Sequence, residues 1–313
     1  MNKRYIGLIV GLLCVVAIGV GWKAGILSSQ SVSRQTPIKQ INVVASFYPL
    51  YEFAKHVGGN NVEVTNITPA GAEPHDYEPS PQDIAKIYKA QLFIFNGNGV
   101  DSWGDRIQRD LESKGVEVLK ISDHVKSLQT NPPGAVKPSG YDPHYWLDPI
   151  HAEKQTDLIA DALVKIDGRQ AEYNQNRDRF KRQLSDLDRK YKAGLARCRL
   201  REIVVSHNAF NYLANRYHLS ILYISGITPD EEPSPSRMAE IVTFARQKNI
   251  KYIFFETLVS PKLADTIASE IGAKTLVLNP IEGLTDQEIA QGKNYISVME
   301  DNLANLRTAL QCR

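Results

Sequence analysis

The sequence predicts an α/β protein built as two parallel-sheet βα lobes joined by a long rigid helix. Two observations point there. In both halves, short runs rich in β-branched and aromatic residues alternate with helical patterns, the signature of βαβ units. Between the halves, Arg169 to about Ala196 carries Tyr173, Phe180, Leu184, Leu187, Tyr191 and Leu195 at spacings of seven, four, three, four and four. That spacing gives one apolar face on a helix.

Taken in order, the chain opens with basic Met1-Asn2-Lys3-Arg4 and an uncharged apolar run from Tyr5 to Trp22. Residues 1–24 are therefore expected to be a signal peptide or an N-terminal membrane anchor. Ala17-Ile18-Gly19 is the best small-x-small cleavage candidate, and Leu13 is too large for the usual lipidation motif before Cys14. Residues 25–40, rich in Ser, Gln and Lys, read as a flexible tether. The N-terminal lobe spans 41–168. Its expected strands are Ile41–Phe47, Val62–Ile67, Leu92–Asn96 and Val116–Ile121. Its expected helices are Pro49–Val57, Pro81–Lys89 and Trp103–Lys114. The Pro-, Gly- and Ser-rich stretch Val125–Tyr141 is expected to be an exposed, mobile loop. Residues 169–197 form the linking helix, about 40 Å long at 1.5 Å per residue; the plainer reading is one more surface helix of the second lobe. The C-terminal lobe, 198–313, has strands at Glu202–Ser206, Ile221–Ile224, Tyr252–Phe255 and Thr275–Leu278. Helices are expected at Asn208–Tyr217, Pro235–Asn249, Pro261–Ile271 and Tyr295–Leu310.

At 313 residues the chain can bury one large core or two ordinary ones. A net charge of +2 with 23% charged residues implies neither nucleic acid nor an acidic partner. Export places the protein in an oxidising compartment. There the two cysteines beyond Cys14, Cys198 and Cys312, are candidates for a disulfide tying the tail to the start of the second half. Two unpaired thiols are the alternative.

Chemistry gathers at Glu73-Pro74-His75-Asp76-Tyr77-Glu78-Pro79-Ser80-Pro81 and at Asp142-Pro143-His144-Tyr145-Trp146-Leu147-Asp148-Pro149. Each presents a histidine in a segment stiffened by prolines, which fix φ and push the preceding residue towards extended geometry. Ligands in open α/β sheets bind beyond the carboxyl ends of strands. His75 and His144 follow the second and fourth strands of the first half; His207 and Glu282 follow the first and fourth of the second. These ends can converge in an interlobe cleft. Three neutral imidazoles and one carboxylate suit tetrahedral Zn²⁺; Mn²⁺ prefers more oxygen. Glu256, after YIFF, is the rival fourth ligand or, preferably, a group orienting a histidine. Asp76 or Glu256 is expected to help balance the ion's charge. His56, His124, His151 and His218 are expected to face solvent or be satisfied by packing, His124 alone having a route to the cleft. No HExxH, Walker loop, GxGxxG or GxSxG is present, and Ser206 adjacent to His207 makes a poor nucleophile–base pair.

At these residues the chain resembles the metal-binding solute-binding proteins of bacterial ABC transporters, especially the zinc branch. The resemblance covers about residues 41–313. It includes Ala45-Ser46-Phe47-Tyr48-Pro49-Leu50, the two proline-bracketed stretches, Val205-Ser206-His207-Asn208-Ala209-Phe210 and the tail GKNYISVMEDNL. It implies a periplasmic or cell-surface receptor, with no enzymatic activity, that passes one ion to an ABC permease served by a cytoplasmic ATPase. The protein would act as a monomer, membrane-associated by its anchor or by permease docking. The family's ligands fall on His75, His144 and His207, and on Glu282 after a gap of about one residue. Manganese members carry Glu where this chain has His207, which favours zinc. Many zinc members have a histidine-rich loop before the second ligand; Val125–Tyr141 has no histidine. The alternatives are a manganese receptor, a zinc hydrolase with Glu256 as base, and an adhesin whose metal is structural.

Overall fold

A computed structural model describes residues 40–130 and 140–313. The expected signal or anchor, Cys14 and all but the last residue of the tether lie outside the described residues, as does the middle of the Pro-rich loop.

The first half supplies β1 (Ile41–Ala45), α1 (Tyr48–Gly58), β2 (Val62–Asn66), α2 (Pro81–Ile87), β3 (Leu92–Phe95), α3 (Trp103–Ser113) and β4 (Glu117–Lys120). A short antiparallel pair, β5 (Gln129–Thr130) and β6 (Gly140–Tyr141), follows. Next come α4 (Pro149–Asp167) and α5 (Gln170–Leu195). The second half runs β7 (Glu202–Val205), α6 (Asn211–Tyr217), β8 (Ser220–Tyr223), α7 (Pro235–Gln247) and β9 (Tyr252–Phe255). It ends with α8 (Lys262–Ile271), β10 (Lys274–Val277), α9 (Asp286–Ala290) and α10 (Tyr295–Ala309).

Both lobes hold a four-stranded parallel sheet, ordered β2-β1-β3-β4 and β10-β9-β7-β8. Counted from each lobe's first strand, the two orders are the same. The first strand lies inside the sheet with a neighbour on each side, so the chain reverses direction there and leaves a crevice at the strands' carboxyl ends. β1 stops at Ala45, before the expected Phe47, because Pro49 in the first turn commits the chain to α1.

The long helix is present, and every residue of its expected apolar face is buried. It does not stand free as a rod. It packs on α1 and α4 of the first lobe and on α10 and α6 of the second. One apolar core runs under both lobes, containing Phe47, Phe53 and Trp146 from the first, Phe180 and Tyr191 from α5, and Leu278, Ile281 and Tyr295 from the second. A smaller cluster lies on the outer side of each sheet. A shared core resists wide hinge motion, because opening it exposes apolar surface to water.

Other features depart from expectation as well. Helix α4 was not read from the sequence, because its buried face is made partly of Ala152, Gln155, Thr156 and Ala160, which carry little hydrophobic signal. The described ends of the Pro-rich loop are not free: Val125 is buried, and Leu128 N donates to the Tyr212 hydroxyl at 2.8 Å.

Candidate metal centre

Each proposed ligand sits where the local chain has few options. His75 lies in the segment between β2 and α2. Asp76 N and Tyr77 N donate to Glu73 O and Pro74 O, closing a tight turn around it. Downstream, Ser80 and Asp83 form a reciprocal capping box at the start of α2, with Pro81 in its first turn. The Tyr77 hydroxyl also donates to Asp83, at 3.1 Å. Upstream, Gly71 adopts φ 76°, and its N–H donates to Leu284 O of the other lobe at 3.0 Å.

His144 caps a single 3₁₀ turn, Tyr145–Leu147, which leads through Asp148 into α4. His207 follows β7 directly. Glu282 follows Ile281, a fully buried β-branched residue at φ 59°, in the left-handed region such residues avoid. The surroundings hold it there. Asn279 Oδ1 accepts from Ile281 N at 2.7 Å, and Asn302 on α10 bonds both Asn279 N (2.8 Å) and Asn279 O (2.7 Å). From the first lobe, Trp146 Nε1 donates to Pro280 O at 2.7 Å.

The four side chains meet. His75, His144, His207 and Glu282 each offer an atom, and these atoms lie within 4.8 Å of one another. All four side chains are 0% exposed. The Nε2 atoms of His144, His75 and His207 lie 3.0, 3.3 and 3.4 Å from Glu282 Oε1. His144 Nε2 and His207 Nε2 are 3.3 Å apart. A tetrahedral zinc site with bonds of about 2.0–2.1 Å has ligand–ligand edges of about 3.3–3.4 Å. The three edges to Glu282 Oε1 and the His144–His207 edge are close to that spacing, while the cluster as a whole spreads to within 4.8 Å. His75 Nε2 and Glu282 Oε2 are buried without a hydrogen-bond partner, a cost that a cation at the centre removes.

Carboxylates behind the rings set their orientation. His144 donates from Nδ1 to Asp142 Oδ1 at 2.8 Å, and its backbone N–H donates to the same oxygen at 2.9 Å. His207 repeats this with Glu256 Oε1, at 2.8 Å from Nδ1 and 3.2 Å from N. With Nδ1 donating, Nε2 is the nitrogen left for an ion. Glu256 lies outside the four-atom cluster, behind His207 and hydrogen-bonded to its Nδ1. Asp76, the other candidate for charge balance, is exposed. Glu73 is half-buried, with Oε2 shielded from solvent: burial, reinforced by the negative Glu282, pushes its carboxyl up to about 9.

Burial opposes charge on His207, but Glu256 and Glu282 outweigh it and hold the ring's proton well above the ordinary histidine range. His144 is raised likewise: burial opposes the charge, and hydrogen bonds to Asp142 and Glu282 overcome it. Burial pushes Glu282 upward, yet the three histidines hold it well below the usual carboxylate range.

The remaining histidines stay away from the site. His56 stacks on Phe180 with ring centroids 4.1 Å apart, and His151 faces Tyr212 at 5.1 Å. His124 and His218 are exposed, so His124 does not use its route to the cleft. Ser206 Oγ donates to Phe254 O at 3.2 Å, away from any base. Sequence reasoning assigned no role to Asp142; the available signal was a carboxylate two residues before a histidine across a proline.

Residues 43–309 match the model of the family described as "Zinc-uptake complex component A periplasmic". The "High-affinity zinc uptake system protein ZnuA" of Bacillus subtilis is 36% identical over 320 residues, covering 99% of each chain. The "Zinc-binding lipoprotein AdcA" of Streptococcus pneumoniae is 37% identical over 86% of this chain, which spans about half of that longer relative (55%). The solved Zn(II)-bound ZnuA-like domain of S. pneumoniae AdcA is 38% identical, with a TM-score of 0.75 over 87% of this chain and 99% of that one.

Proposed function

This chain belongs to the family of the periplasmic zinc-uptake complex component A, and on that premise we propose that it is the extracytoplasmic zinc-binding protein of an ABC importer. It captures one Zn²⁺ between its lobes with His75, His144, His207 and Glu282. It then delivers the ion, as a monomer, to a membrane permease driven by a cytoplasmic ATPase. Residues 1–24 direct its export or hold it at the membrane. Among the described residues no helix is long and apolar enough to cross a membrane.

One observation carries this reading: three Nε2 atoms converge on one carboxylate oxygen at 3.0–3.4 Å. A set of three imidazoles and one carboxylate favours zinc over manganese, which seeks more oxygen. Four protein donors that face inward and are shut off from solvent suit capture better than hydrolysis, which needs a coordination position left for water. Metal analysis of protein purified without added metal or chelator is expected to find one zinc per chain. One manganese per chain, with zinc absent, would overturn the zinc assignment.

Zinc binding is also expected to release protons. The ion-free site holds protons on His144 and His207 more tightly than ordinary histidines do. Zinc must displace them, so apparent affinity rises with pH until those groups are deprotonated, by about tenfold per pH unit for each proton displaced. Calorimetry at pH 7 in buffers of different ionisation enthalpy measures this directly. A binding enthalpy independent of buffer would contradict it.

A further inference from the structure

We infer that Asn211 is the positioning residue through which the second lobe holds a first-lobe ligand, His144, in its metal-binding orientation. This rests on the zinc-capture reading above and adds to it a link between lobe movement and ion release.

The carboxylate of Asp142 is fully buried and divides its two oxygens. Oδ1 serves His144, accepting from ring Nδ1 and from the backbone N–H. Oδ2 accepts from Asn211 Nδ2 at 2.8 Å. Asn211 is the first residue of α6, on the opposite lobe. Its amide is tied to its own lobe as well, donating to Asn208 Oδ1 at 2.9 Å. With Oδ1 committed to His144, the bond from Asn211 fixes how far the carboxylate can rotate about its own axis. That rotation decides whether Oδ1 still meets the imidazole.

The next residue completes the grip. The Tyr212 hydroxyl donates to Asp142 O at 3.0 Å and accepts from Leu128 N at 2.8 Å. Asp142 N in turn donates to Leu128 O at 2.8 Å. The first two residues of one helix therefore hold Asp142 by its side chain and its carbonyl.

His207 lies four residues before Asn211 in the same stretch. A displacement of that stretch would move one ligand directly and loosen a second through Asp142. Ion occupancy and closure of the cleft would then favour each other, as two events sharing contacts must. His75 differs: its Nδ1 is buried with no hydrogen-bond partner.

The test uses the whole exported chain, Zn²⁺ and Co²⁺. Asn211→Ala should raise the zinc dissociation rate by roughly 3–10-fold, less than the 10–100-fold typical for removing a group that touches the ligand itself. The association rate should change little. The d–d absorption of the Co²⁺-loaded protein should shift, because the His144 ring is released to tilt; a loss of general stability would not move that band. Asn211→Ser keeps a donor at the helix start and should fall between parent and Ala; it carries the same comparison if the alanine variant misfolds. A dissociation rate matching the parent's, or an unchanged cobalt spectrum, overturns the proposal. Failure of the parent itself to bind zinc is read before any variant and would sink the zinc-capture reading instead.

Discussion

Replacing His207 with alanine is expected to weaken zinc binding by roughly 100–1000-fold. Four-ligand zinc sites bind with apparent free energies of about 10–16 kcal/mol, so one ligand accounts for about 3–4 kcal/mol. Two features of this site keep the loss from being made good. The cluster is sealed, so water does not simply take the vacated position. Glu256, only 3% exposed, also loses the ring N–H and keeps only the longer bond from the backbone N–H of residue 207. Glu256→Gln should cost less, roughly 10–100-fold, because it disturbs the ring's orientation and leaves the ligand in place. Competition against a chromophoric chelator measures both. An unchanged dissociation constant for His207→Ala removes that residue from the site and, with it, the second lobe's nitrogen.

The second large effect concerns the fold. Cys198, just past the end of α5, is joined to Cys312, just past the end of α10, across 114 residues of sequence. The bond closes nearly the whole second lobe into a loop. In the chain-entropy model a loop of that length is worth about 4–5 kcal/mol, through restriction of the unfolded chain. Replacing both cysteines by serine should therefore lower the melting temperature by roughly 10 °C. Zinc affinity in the folded protein should be nearly unchanged, because neither cysteine bonds to a ligand or to the carboxylates behind them. Thermal denaturation of the ion-free protein, with and without reductant, checks this. An unaltered melting temperature in the double variant would show that the unfolded chain gains little from being cut free.

Most elements were legible as local pattern. The β-branched runs became strands within one or two residues of their expected ends, and the apolar stripe of α5 is buried at each expected position. The proline-bracketed histidines and the strand-end positions of His207 and Glu282 pointed to a metal from residue type and placement. Helix α4 escaped notice because alanine, glutamine and threonine on its inner face look polar or neutral until a neighbour covers them.

What the chain determined by itself is what depends on near neighbours: periodicity, capping, the stiffness that proline imposes and the chemistry of four donor side chains. Tertiary structure alone decided that Glu256 stands behind His207, why Glu73 is more sheltered than Asp76, and that Asn211 reaches Asp142 across the cleft. The two pairings join residues 49 and 69 positions apart, and the contrast between Glu73 and Asp76 turns on which side of a single loop meets the other lobe. Such distances are set by how two sheets and a shared core pack, and no local rule of sequence encodes them.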